Sequence, residues 1–194
     1  MASDDAKRCT AWRRFGITGA LRALFAGRIR RDSDGRRLMG TEIERKFLVE
    51  GTSWRQSNSV RLSQCYLNRD RHRTVRVRIA GDKAFLTVKS VRQGVTRGEF
   101  EYEIPVADAE QLLKLSDGPI IEKNRYVVVH DGSKWEIDEF LGDNSGLLLA
   151  EIELKSEDEA FSRPPWLGAE VTHDTRYYNS SLAGCPYGKW RDQA

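Results

Sequence analysis

The feature that most narrows what this chain can fold into is an alternation of ionisable and apolar residues at the two-residue period of a strand, seen in seven segments. It begins at Glu42-Ile43-Glu44-Arg45-Lys46-Phe47-Leu48-Val49, where Glu42, Glu44 and Lys46 fall on one face and Ile43, Phe47 and Val49 on the other. Further along, Arg76 and Arg78 flank Val77, and Thr87 and Lys89 flank Val88. Glu99, Glu101 and Glu103 alternate with Phe100, Tyr102 and Ile104, and Lys123 and Arg125 flank Asn124. Glu136 and Asp138 flank Ile137, while Glu151, Glu153 and Lys155 alternate with Ile152 and Leu154. Faces turned to bulk water have no reason to be sorted by sign, yet each segment carries mainly acids or mainly bases. A closed antiparallel barrel with a charged, hydrated lumen and an apolar outside covered by helices uses such a pattern, because the lumen charges neutralise one another and a bound ligand. The expected fold class is therefore α+β, a closed antiparallel β-barrel with helices packed outside.

A lumen lined by Lys46, Arg76, Arg78, Lys89, Lys123 and Arg125 suits a polyanion with many oxygens, since guanidinium forks match phosphate and ammonium groups add point charge. The carboxylates would repel that ligand unless divalent cations stood between. All-oxygen ligands of this kind favour Mg²⁺ or Mn²⁺ over Zn²⁺, and histidine and cysteine are nearly absent from the segments. Phosphoryl transfer needs positioning and charge neutralisation more than a covalent nucleophile, so the lack of a serine, cysteine or histidine nucleophile is no objection.

The ordered motifs resemble those of the CYTH, or triphosphate tunnel metalloenzyme, superfamily, whose first strand carries Glu-x-Glu-x-Lys, here Glu42-Ile-Glu44-Arg-Lys46. Arg76-Val-Arg78, Thr87-Val-Lys89, Glu101-Tyr-Glu103, Lys123-Asn-Arg125, Asp138-Glu-Phe140 and Glu151-Ile-Glu153 follow in the family's order. Thr41 to Val49, and Pro164-Pro-Trp-Leu-Gly-Ala-Glu-Val-Thr172 with Asp174 and Tyr177, look most like the bacterial single-domain inorganic tripolyphosphatases. The resemblance implies an eight-stranded tunnel in which a linear triphosphate is hydrolysed to pyrophosphate and phosphate with a divalent metal. It implies metal coordination by Glu42, Glu44, Glu153 and Asp138, with Glu151 and Glu153 orienting the attacking water directly or through a second metal. Substrate contacts fall to Lys46, Arg76, Arg78, Lys89, Lys123 and Arg125, Lys123 also counting as catalytic. Glu101 and Glu103 either join the metal set or balance arginines. The resemblance places Gln64-x-Tyr66 in the tunnel wall, where Tyr66 is either a general base or a packing aromatic; a phenol near its ordinary pKa is a poor base at neutral pH.

Residues 1–39 differ from the rest: they hold ten Lys and Arg against four Asp and Glu, net +6, whereas residues 40–194 hold 22 against 25, net −3. The overall +3 thus belongs to a basic N-terminal extension, disordered or partly helical with Ile17, Leu21, Leu24 and Phe25 at helical spacing, ahead of a domain over 40–194. That extension contains four aspartates and glycines, unlike an acid-poor transit peptide, and lacks a nucleic-acid-binding motif, so no nucleic-acid partner is expected; nor is a membrane span, since no run of the chain approaches the ~18 apolar residues it needs. Cys9, Cys65 and Cys185 are an odd set without zinc-finger spacing, pointing to free thiols in a reducing, cytoplasmic setting. The oligomeric state stays open, a homodimer among the options.

The remaining segments are expected as follows. Val60 to Leu67 is a strand with Cys65 packed away from Gln64 and Tyr66, and hairpins turn at Gly81-Asp82 and Asp131-Gly132. Pro105 to Leu115 is a helix on the barrel's exterior with Asp108 as a cap, and Ser156-Glu-Asp-Glu159 opens a short helix stopped by Pro164-Pro165. Gly168 to Tyr178 is a loop or short helix, the tail to Ala194 shows no usable pattern, and His173 is a solvated loop residue. Within the same fold an adenylyl cyclase of the CYTH type, a thiamine triphosphatase and a nucleoside triphosphatase compete with the tripolyphosphatase. Those enzymes call for stacking aromatics at the entrance, for which Tyr66 and Trp54 are the candidates. A non-catalytic polyphosphate sensor is the alternative from another class, disfavoured because a sensor needs the bases more than the carboxylates.

Overall fold

A computed structural model describes residues 40–55, 58–70, 72–91, 93–116 and 118–193. The basic extension expected over residues 1–39 and its cysteine, Cys9, lie outside the described residues. Nine strands follow one another as β1 (Gly40–Val49), β2 (Ser59–Asn68), β3 (Arg73–Ala80), β4 (Lys83–Ser90), β5 (Thr96–Ile104), β6 (Ile121–His130), β7 (Ser133–Phe140), β8 (Leu148–Glu153) and β9 (Leu167–Glu170). Helix α1 (Val106–Leu113) separates β5 from β6, and α2 (Asn179–Gly184) lies in the tail.

All pairings are antiparallel, in the order β5-β4-β3-β2-β6-β7-β8-β1, and β1 closes the circle onto β5 through Gly40↔Glu99 to Ile43↔Thr96. Eight strands thus form the expected closed barrel. β9 is an added strand, continuing the free edge of β1 through Phe47↔Glu170 and Val49↔Leu167. Hairpin turns fix the local registers: Asp131 and Gly132 both adopt positive φ, 45° and 77°, as a two-residue type I′ turn between twisted strands requires.

The apolar faces turn outward, as the alternation demands. Val77, Cys65 and Ala84 are covered by α1 through Ala109, with Leu112 and Leu113 alongside. The helix is shorter than expected, with Pro105 at its N-cap and no side-chain cap; Asp108 lies in the first turn, where a carboxylate favours the helix dipole. On the β1, β7 and β8 side the cover is irregular chain: Phe47, Trp135, Ile137, Ala150 and Ile152 pack under Trp54, Leu154 and Trp166. Trp135 meets Phe161 and Trp166 edge-on at centroid distances of 5.5 Å each. Ser156 to Glu159 makes one turn, closed by Glu159 N–H to Ser156 C=O at 3.2 Å, instead of the expected helix. The Glu159 carboxylate reaches back to the Lys155 N–H, and two prolines five residues on leave no room to propagate.

The tail that carried no readable pattern caps the barrel. Tyr66, Ile121, Phe140 and Leu149, from four lumen-facing strand ends, pack with Val171, Tyr177, Leu182, Ala183 and Trp190. Trp190 sits edge-on to Tyr177 at 5.2 Å and to Tyr187 at 4.9 Å. Of the other two cysteines, Cys65 is a buried free thiol and Cys185 an exposed one. No helix among the described residues is long and apolar enough to cross a membrane.

Candidate active site in the barrel lumen

Directly opposed residues on neighbouring antiparallel strands share a face, so the registers define the lumen wall. Glu42 opposes Arg97, Glu44 opposes Glu153 and Lys46 opposes Glu151. Glu136 opposes Glu151, and Arg125 opposes Asp138. Across the other side, Gln64 opposes Arg78, Tyr66 opposes Arg76, Arg76 opposes Thr87, Thr87 opposes Glu101 and Lys89 opposes Glu99. Every lysine and arginine expected in the lumen is there, and Lys46, Arg76, Lys89, Lys123 and Arg125 are buried.

The ring order divides the charges. β4, β3, β2 and β6 are contiguous and carry Lys89, Arg76 with Arg78, no ionised group, and Lys123 with Arg125. β7, β8, β1 and β5 complete the circle and carry Glu136 with Asp138, Glu151 with Glu153, Glu42 with Glu44, and Glu99 with Glu101. The lumen therefore has a basic half facing an acidic half. Two cations stand inside the acidic half: Lys46 and Arg97.

Ion pairs stitch the halves together. Asp138, fully buried, accepts from Lys123 and from both arms of Arg125, at 2.7 Å from Nε to Oδ1 and 2.6 Å from Nη2 to Oδ2. Arg125 also reaches Glu136 and, at 3.1 Å, Glu151, which binds Lys46. Arg97 bridges Glu42 at 2.6 Å and Glu44 at 3.0 Å, and Lys89 lies 3.0 Å from Glu42 and 3.2 Å from Glu99. Glu101 takes Arg78 at 3.0 Å, Arg76 at 3.3 Å and the Thr87 hydroxyl at 2.8 Å. Glu103, by contrast, is at the rim, exposed and paired with Lys83. Glu153 is exposed at the end of β8 and makes no ion pair among the described residues.

These surroundings sort the carboxyls. Burial alone would raise Asp138, but Arg125 and Lys123 hold it well below the ordinary range. Glu151 is likewise held down, against burial, by Lys46. Glu99 is lowered to about 2 because Lys89, Arg76 and Arg97 outweigh its burial. Glu42 goes the other way: burial and the neighbouring Glu44 push it up to about 7 despite Lys89 and Arg97. Glu153 is raised by desolvation and by Glu136 and Glu99. On the basic half, burial lowers the Lys123 ammonium to about 8 against the pull of Asp138. Burial also raises the Tyr66 phenol, which keeps its proton.

The acidic half fits a hard divalent cation in donor chemistry: the groups it offers are carboxylate oxygens, and two of them, Glu42 and Glu153, are pushed up by burial and by neighbouring carboxylates, a burden that a cation would relieve. Among the described residues no three potential ligands stand assembled at metal distance. Arg97 between Glu42 and Glu44, and Lys46 beside Glu44 and Glu151, hold the places where a cation would neutralise them.

The sequence reading left out Arg97, Glu99 and Glu136 as site residues. Counting back two from Glu99 across Gly98 puts Arg97 on the same face, and that period was the available signal. Trp54, a candidate for the stacking aromatic that a cyclase or thiamine triphosphatase calls for, is buried in the outer wall beside Tyr126, 4.9 Å between ring centroids. His173 is exposed, as expected.

Residues 40–182 match the CYTH domain. An inorganic triphosphatase of Acetivibrio thermocellus is 47% identical over 156 residues, 79% of this chain and 100% of the relative. One from Nitrosomonas europaea is 43% identical over 147 residues, 74% of this chain and 97% of the relative. A crystal structure of an inorganic triphosphatase superposes with a TM-score of 0.56 at 41% identity, covering 75% of this chain and 95% of the other.

Proposed function

The chain belongs to the CYTH domain family, and from that premise we propose that it hydrolyses inorganic tripolyphosphate to pyrophosphate and phosphate inside the barrel with a divalent cation. The observation that carries the reading is the division of the lumen wall. A bare polyanion needs contiguous bases, and a cation that neutralises it needs contiguous acids facing them; β4-β3-β2-β6 and β7-β8-β1-β5 supply one each.

Arg76, Arg78, Lys89, Lys123 and Arg125 bind the phosphate oxygens, with Lys46 reaching them from the acidic side. Glu42, Glu44, Glu151 and Glu153 would hold the cation, and their oxygen-only chemistry suits Mg²⁺ or Mn²⁺. Bound there, the cation would supply neutralisation of phosphate charge and activation of the attacking water. Glu151, held ionised by Lys46 and Arg125, orients a water by accepting its hydrogen bond. Glu153, raised and unpaired, is the carboxylate better suited to take the water's proton. Asp138 we assign to fixing Lys123 and Arg125 in place, since both bases occupy its oxygens and its side chain, unlike that of Glu151, is wholly buried. Tyr66, kept protonated by burial, serves as a donor or packing group. The free thiols Cys65 and Cys185 suit a reducing, cytoplasmic setting.

The test offers metal-free protein Mg²⁺ or Mn²⁺ with tripolyphosphate, ATP and thiamine triphosphate in parallel. With oxygens registered on fixed bases and no aromatic platform from Trp54, tripolyphosphate should exceed ATP in kcat/KM by at least about tenfold, or about 1.4 kcal/mol of transition-state discrimination. Equal or better kcat/KM with ATP, or release of pyrophosphate with cyclic AMP, overturns this substrate assignment.

A further inference from the structure

β2 is the strand of the basic half whose lumen face carries no charge: Val60, Leu62, Gln64 and Tyr66 alternate along it. Val60 and Leu62 pack with Ala80 as an apolar floor, and Tyr66 joins the cap at the other end. Between them Gln64 is fully buried, opposite Arg78 on β3 and Ile121 on β6. Among the described residues neither its Nε2 nor its Oε1 has a hydrogen-bond partner. Buried amides without partners are rare, because stripping water from a donor and an acceptor that gain nothing in return destabilises the fold. The same wall leaves two more buried donors without a partner among the described residues, Arg76 Nε and Arg78 Nε.

Three side chains on adjoining strands thus hold unspent polar groups on one stretch of lumen wall. Ring order places β2 fourth and β1 eighth of the eight closed strands, so Gln64 looks across the lumen at the strand of Glu42, Glu44 and Lys46. A neutral amide there does what another lysine or arginine could not. It donates to a phosphate oxygen without adding to the repulsion among Arg76, Arg78, Lys123 and Arg125, and its carbonyl remains free to accept from a water. Resting on the triphosphate reading above, we propose that Gln64 is a substrate-contacting residue: its Nε2 donates to a phosphoryl oxygen shared with Arg76 and Arg78, and its Oε1 accepts from a water beside that phosphoryl group. The unsatisfied amide is then the form of the empty site, and the substrate completes it.

The test compares wild-type protein with Gln64→Met, close in volume but without polar atoms, and Gln64→Glu, close in shape but without the donor. Gln64→Met should melt at or above the wild-type temperature when empty and lose at least tenfold in kcat/KM for tripolyphosphate. Tripolyphosphate should raise its melting temperature less than that of the wild type. Gln64→Glu, placing an anion against the phosphate, should lose more, chiefly through KM. The pH profile of kcat/KM should keep its limbs in Gln64→Met, since no titrating group is removed. Wild-type kcat/KM in Gln64→Met, or a fall in melting temperature of the empty protein that accounts for the lost activity, overturns the proposal. An inactive wild type would instead overturn the triphosphatase reading, so the two failures are distinguishable.

Discussion

Replacing Glu42 by glutamine should make the empty protein more stable while abolishing its metal-dependent turnover. Glu42 lies between Lys89 and Arg97, yet burial and Glu44 push its pKa from an ordinary 4.5 up to about 7. Between those values the folded chain binds more protons than the unfolded one, so stability falls as pH rises through that window. With about 1.36 kcal/mol per pKa unit, the ionised carboxylate opposes folding by at most about 3 kcal/mol above pH ~7 and by nothing below pH ~4.5. Glutamine has the shape of the protonated acid and removes that opposition. Urea unfolding with chelator present should therefore show Glu42→Gln stabilised by up to about 3 kcal/mol near pH 8 and nearly neutral near pH 4.5. Added Mg²⁺ or Mn²⁺ should stabilise the wild type and leave the variant little changed, because the cation loses a ligand. A variant less stable than wild type at pH ~8, or a difference that does not change with pH, would falsify the claim that burial and Glu44 disfavour the ionised Glu42.

Two further substitutions separate structural from functional charge. Asp138→Asn removes the carboxylate that Lys123 and Arg125 share, and breaking such a buried pair should cost about 3–5 kcal/mol in denaturant unfolding; a loss under about 1 kcal/mol would mean the two bases find other partners. Arg97→Gln frees Glu42 and Glu44 from the side chain that bridges them, so calorimetric titration should show divalent-cation affinity increased by roughly tenfold, about 1.4 kcal/mol. Unchanged or weaker cation binding in that variant would place the cation elsewhere.

Much of this was legible in the chain because a strand's period is short and a charge inside a barrel is conspicuous. Glu42, Glu44, Lys46, Arg76 and Arg78 could be assigned to one face from spacing alone, and the register confirms that face as the lumen. What escaped had no period to betray it. Trp54 packs outside because chain 51–55 folds back over β7 and β8, a tertiary choice that no local pattern encodes. The cap of Tyr177, Leu182 and Trp190 is made of short turns whose apolar residues meet only after the tail reaches the barrel's end. Ser156 to Glu159 satisfied the capping pattern, but the Glu159 carboxylate takes the N–H of Lys155 rather than that of Ser156, and with no room for a helix behind it the segment closes a turn.

The division into halves shows where sequence order stops being informative. In chain order the lumen charges run mixed, neutral, basic, basic, acidic, basic, acidic, acidic from β1 to β8, which is no gradient at all. Two pairings between strands distant in sequence rearrange them. β2 pairs with β6, setting Lys123 and Arg125 next to the neutral strand and so alongside Arg76 and Arg78. β1 closes onto β5, joining Glu42 and Glu44 to Glu99 and Glu101. Had β6 instead paired with β5, its neighbour in sequence, the bases would have been interleaved with acids around the wall. Such a barrel could be stable, yet it would present no surface of one sign to a polyanion. The long-range closures therefore do more than complete hydrogen bonds: they gather charge of one sign on each half, where burial works against ionisation and, with like-charged neighbours, raises Glu42 and Glu153 and lowers Lys123 and Arg78. A metal-chelated polyphosphate relieves both halves at once, so binding of its two components should be mutually reinforcing.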